Sequence, residues 1–157
     1  MRSIALAIAS VLLLASCSDD PGPIEPTDSP SAEPTAPSMP EEANADNPSG
    51  AATFVGYWVS TFNYAAQTGD AVPMIKHAKD CKPCTEYADE FESLPNAKRP
   101  KSPPWKLKDV SVGPNRKPIE VVTTVEVLDE RKTYSLTFVL NSGSPFELVD
   151  IYERSAK

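Results

Sequence analysis

The sequence predicts an α+β domain in which N-terminal helices pack on a curved antiparallel four-stranded sheet. Apolar residues recur at helical spacing between residues 54 and 94, and the period then switches to two after Pro95. The period-two runs are separated by turns too short for a crossover connection, so neighbouring strands must run antiparallel. At 157 residues the chain has room for one such core and not for two.

Ahead of that domain stand two segments of different character. Arg2 is followed by an apolar run from Ile4 to Ala15, too short to span a bilayer and therefore read as a removable signal over residues 1–16. The run closes on Leu14-Ala15-Ser16-Cys17, which resembles the lipobox of bacterial lipoproteins. The resemblance implies that Cys17 becomes a lipidated N-terminus and that all beyond it lies outside the cytoplasm, held at the cell membrane. Acyl chains contribute about 0.8 kcal/mol per buried CH₂, and two or three of them anchor a protein stably.

Residues 17–50 form the second segment. Between Ser18 and Gly50 there are eight Pro, eight acids and no base, with apolar content limited to Ile24, Met39 and a few Ala. Such a composition offers little burial to offset ordering entropy, so a disordered, extended spacer is expected. Two PxxP matches (Pro34 to Pro37 and Pro37 to Pro40) and a set of Ser and Thr leave a peptide-ligand or glycosylated reading open.

The domain proper is expected over residues 51–157. Ser49 or Thr53 opens a helix with Phe54, Val55, Trp58, Val59, Phe62, Ala65 and Ala66 on one wide face. Gly69 stops it, and Asp70 caps a second helix that tolerates Pro73 in its first turn. A third helix, about Thr85 to Leu94, turns Tyr87, Ala88, Phe91 and Leu94 inward and leaves Glu86, Asp89, Glu90 and Glu92 to solvent. Strands follow at about 105–112, 118–128, 132–140 and 145–154. Ile119, Val121, Thr123, Val125 and Val127 share one phase of the second strand, and Tyr134, Leu136, Phe138 and Leu140 one phase of the third.

An aromatic first helix ending in Thr68-Gly69-Asp70, two further helices flanking a Cys pair, and a curved meander resemble the nuclear-transport-factor-2-like or SnoaL-like cone, a cystatin-like architecture. Phe54-Val55-Gly56-Tyr57-Trp58, Asn63 to Asp70 and Cys81-Lys82-Pro83-Cys84, with the lipobox and tether, resemble an actinobacterial lipoprotein family known as domain of unknown function 6318. The resemblance implies a fold and an envelope location. It carries no catalytic residue.

Charge and residue usage narrow the function. The formal charge of −7 resides in the tether, and residues 51–157 balance 14 acids with 14 bases, which argues against a nucleic-acid partner. Cys81 and Cys84 are read as a disulfide stapling the second helix to the third. The oxidoreductase alternative lacks the strand-to-helix setting such enzymes use. His77 and Cys81, four apart, with Cys84 nearby, offer three metal donors where zinc wants four or three plus water, so no metal is expected. His77 is read as a solvent-facing helix residue, and no nucleophile elbow accompanies it.

Cone folds of this class often enclose an apolar pocket between sheet and first helix, and the candidates for it are Trp58, Tyr64, Tyr134 and Asp150. Asp150 is flanked by Val149 and Ile151 and is the acid to test if the pocket is wet. The stretch with Lys98, Arg99, Lys101, Trp105, Lys106 and Lys108 holds five bases and no acid, and is either a connector or a contact for anionic surfaces. The expected function is a non-enzymatic, membrane-anchored module without a cofactor, binding an envelope protein or a small apolar ligand. A pocket enzyme of the SnoaL-like kind stands as the alternative, ahead of a thiol–disulfide protein.

Overall fold

The computed structural model describes residues 33–114 and 117–154. The expected signal segment, Cys17 and the first part of the expected tether lie outside the described residues. Within them the architecture is α+β, with three helices packed on a four-stranded antiparallel open sheet.

Helix α1 spans Pro48–Thr68 and begins earlier than apolar spacing suggests. Asn47 accepts the Gly50 N–H at 2.9 Å, and Pro48 presets the first helical φ. At the other end Gly69 adopts φ 75° and returns its N–H to the Ala65 carbonyl at 2.7 Å. The Arg99 guanidinium donates to the Thr68 carbonyl, so a side chain from the connector completes this C-terminus.

The packed body also takes in part of the stretch that composition assigns to the spacer. Met39 packs on the core, Ala43 is fully buried in a 3₁₀ turn, Glu41–Asn44, and the Ser144 hydroxyl donates to the Asn44 carbonyl at 2.7 Å. A Cβ on Gly50 would run into the Ala45 carbonyl, so the turn and α1 meet at backbone contact. The boundary expected at residue 51 is thus too late. Averaged composition hides a few small apolar residues that need only one helix face to bury them.

Helix α2, Val72–Ile75, is a single turn, with Asp70 accepting the Val72 N–H at 3.2 Å as its sequence position suggests. Helix α3, Lys82–Ser93, starts at the Cys pair, ahead of Thr85, with Pro83 in its first turn. Ala88 and Phe91 are buried and Glu86, Asp89, Glu90 and Glu92 face solvent, as the helical period requires.

The sheet runs in sequence order: β1 Trp105–Val112, β2 Ile119–Val127, β3 Lys132–Asn141 and β4 Glu147–Glu153. Register pairs Val121 with Phe138 and Phe138 with Ile151, which lays the apolar phases of β2, β3 and β4 on one face. Helix α1 covers that face. Trp58 meets Phe138 with ring centroids 5.7 Å apart, and Phe54 meets Phe146 at 5.9 Å. Two bulges interrupt the ladders, at Lys108 in β1 and at Val149 in β4.

Candidate functional site

Where the inner face of the sheet passes beyond the cover of α1, a cleft of about 340 Å³ opens. Its floor is apolar: Val125 and Val127 from β2, Leu136 from β3 and Ile151 from β4. One wall is Pro83 and Tyr87 of α3 with Trp105 of β1, and the rim is Glu130, Tyr134, Tyr152 and Glu153.

The Trp105 wall is fixed by an aromatic cluster. Phe62 of α1 stacks on Trp105 at 3.9 Å and 25°, and meets Tyr87 edge-on at 5.1 Å and Phe91 at 5.0 Å. Tyr87 meets Trp105 edge to face at 5.9 Å. Beneath this lies a two-bond clamp. The Asn63 amide donates to the Trp105 carbonyl at 2.8 Å, and the Trp105 N–H donates to Asn63 Oδ1 at 2.9 Å. Asn63 therefore acts as a one-residue partner for the open edge of β1 and sets the position of Trp105.

On the opposite rim, Arg131 at φ 53° closes the β2–β3 turn in the left-handed conformation. The Tyr134 hydroxyl donates to Glu130 at 2.7 Å, and Lys132 lies 3.4 Å from the same carboxylate. Those two partners hold the Glu130 carboxyl below the usual carboxylate range. Tyr134 moves the other way, raised first by the Glu130 hydrogen bond and also by the negative charges of Glu130 and Glu153. Tyr87 is raised by burial and then by Glu90. Both phenols thus stay neutral donors.

A family model for a family of unknown function (DUF6318) matches residues 26–147, a span that holds α1, the disulfide and most of the sheet. The chain belongs to the DUF6318 family. No curated protein and no solved structure matches it.

Of the residues expected to line a pocket in this DUF6318 domain, Tyr134 lines this cleft and the others do not. Trp58 is buried in the core between Phe62 and Phe138, its indole N–H without a partner. Tyr64 donates to Asp70 Oδ2 at 3.2 Å and belongs to a separate polar depression with Gln67 and Arg99. Asp150 is exposed, opposite Val139 on the outer face, with its carboxylate accepting the Ile151 N–H at 2.9 Å. The Val149 bulge is the cause: strict alternation from buried Leu148 would turn Asp150 inward, and the extra residue turns Ile151 inward instead.

The basic stretch also divides. Trp105 lines the cleft, Arg99 caps α1, and Lys108 pairs with Glu126 at 2.8 Å, a carboxylate that Lys106 faces across the ladder. Lys98 and Lys101 are exposed. Lysine–acid pairing therefore accounts for part of what sequence order alone shows as an unbroken run of bases.

Cys81 and Cys84 form a disulfide with Cα atoms 5.2 Å apart, and both residues are fully buried. The bridge closes the entry to α3 and does not directly tie α2 to it. His77 follows α2 in a loop and shares no helix face with Cys81. Its side chain is only 13% exposed, packed edge-on to Phe54 at 6.3 Å with Nδ1 3.6 Å from Glu147, so it is not the solvent-facing residue expected. Among the described residues no group of His, Cys, Asp and Glu is arranged to hold a metal, and no helix is long and apolar enough to cross a membrane.

Most cleft residues were outside the expected set: Tyr87, Val125, Val127, Glu130, Leu136, Ile151 and Glu153. The inward phases of β2 and β3 signalled Val125, Val127 and Leu136. The part of the sheet left uncovered by α1 had no sequence signal.

Proposed function

We propose that this chain is an extracytoplasmic lipoprotein of an actinobacterial cell envelope, anchored to the membrane by acyl chains on Cys17, whose SnoaL-like body binds a small ligand. The observation that carries the binding reading is the apolar cleft on the sheet, whose volume falls at the lower end of small-molecule sites. Apolar floor, aromatic wall and a few polar groups at the rim are the usual composition of such sites. The anchor rests on Leu14-Ala15-Ser16-Cys17, with its two small residues directly before the Cys.

Each part has its test. Cells expressing the chain are fed a radiolabelled fatty acid. Label on the wild type that is lost in Cys17→Ser, with the variant leaving the membrane fraction, supports the anchor. Label that persists in the variant sinks it. For the cleft, Leu136→Trp places a larger side chain on the floor. An environment-sensitive apolar dye that binds the wild type and fails to bind this variant supports the reading, whereas equal dye binding by both removes it.

A further inference from the structure

The cleft is unusual in the sign and kind of its polar groups. Its rim carries two carboxylates, Glu130 and Glu153, and among the described residues no Lys or Arg lines it. Four aromatic side chains, Tyr87, Trp105, Tyr134 and Tyr152, surround the same space. Resting on the binding reading above, we infer that the ligand is an organic cation: an amine or quaternary ammonium group carried on an apolar body.

Two physical effects select that class. Aromatic faces attract a cation through their quadrupole, and the attraction grows when the cation is weakly hydrated, as alkylammonium groups are. The two exposed carboxylates supply a negative potential at the mouth of the cleft. The charges of Glu130 and Glu153 both bear on the Tyr134 hydroxyl, and Tyr134 lines the same cleft. Lys132 offsets part of the Glu130 charge, yet neither it nor Arg154 lines the cleft, so the lining remains negative. An anionic ligand would meet two like charges and the negative ring faces with no partner to donate to it except phenol and indole groups. The tail of the ligand rests on Val127, Leu136 and Ile151.

The test compares three probes with one chain length, octyltrimethylammonium, octanol and octyl sulfate, titrated into the purified full chain below the onset of micelles and followed by Trp fluorescence. Trp105→Phe assigns the signal to the cleft. The cation is expected to bind at least tenfold more tightly than octanol, and octyl sulfate more weakly than octanol. Glu130→Gln with Glu153→Gln is expected to bring the cation to within about threefold of octanol while leaving octanol unchanged. Both substitutions keep the size of exposed side chains, and a cooperative unfolding transition with the wild-type circular dichroism certifies the variant. Octanol or octyl sulfate binding as tightly as the cation overturns the inference and leaves the binding cleft standing. Failure of all three probes overturns the cleft reading itself, and the inference with it.

Discussion

Replacing Asn63 by Ala tests whether the Trp105 wall is held by the side chain of α1 or merely rests on it. Asn63 makes two hydrogen bonds with the backbone of Trp105, at 2.8 and 2.9 Å, across 42 residues of sequence. A net intramolecular hydrogen bond contributes about 1 kcal/mol, and leaving a partly buried backbone donor and acceptor without partners adds to the loss. The expected cost is therefore about 2–3 kcal/mol. It is read as a lower urea midpoint at unchanged slope, since the surface exposed on unfolding is the same. Asn63→Asp keeps an acceptor for the Trp105 N–H and loses the donor to its carbonyl, so it should cost less than Ala. Trp105 emission should shift to longer wavelength in the Ala variant as the indole loses its stack on Phe62. A cost under about 0.5 kcal/mol with unchanged emission would refute the clamp. The aromatic stack alone would then be enough to position the strand.

Gly50→Ala opposes two effects of known sign. Helix propensity alone favours Ala by about 0.5–1 kcal/mol, while the added Cβ meets the Ala45 carbonyl, so a net loss of about 1–3 kcal/mol in chemical denaturation is expected and a gain would show that residues 39–47 pack loosely. Cys81→Ser with Cys84→Ser should cost about 2 kcal/mol from loop closure alone, and the native wild type should resist thiol-exchange reagents because both residues are fully buried. Acid lowers stability in a defined window: Glu126 is held below 4.5 chiefly by the Lys108 hydrogen bond and Glu130 chiefly by that of Tyr134, so their contribution is complete above 4.5 and is lost as pH falls through the depressed values. Urea midpoints from pH 6 to pH 3 should fall less steeply for Lys108→Met than for the wild type. At the alkaline end Tyr87 and Tyr134 have raised values, so their contribution is complete below 10.0 and fades as pH rises through the folded values, which Tyr87→Phe should blunt in an alkaline unfolding titration.

Much of the fold was legible because its signals are local. The face of α1, the Gly69 stop, the inward side of α3 and the phases of β2 and β3 each follow from a period read over one segment. The entry to α1 was missed because Asn47-Pro48 lies in a tract whose composition reads as spacer, and a cap is set by two residues that an average does not weigh.

The site was less legible for a different reason. Its residues come from positions 83 to 153 and meet only through register and through where α1 stops covering the sheet. Register pairs Val125 with Tyr134 and Leu136 with Glu153, which sets floor beside rim. Strict alternation would have brought Asp150 into the core face and removed Ile151 from the floor, and one extra residue at Val149 reverses both. Were Val149 instead paired regularly opposite Val139, Asp150 would take the place of Ile151 opposite Phe138 and put an acid on the apolar face. Burying that carboxylate without a partner costs several kcal/mol, enough to strain a domain of ordinary stability. The bulge thus serves two ends at once, keeping the core dry and leaving the cleft's negative charge at the rim, where a cation arriving from solvent can reach it.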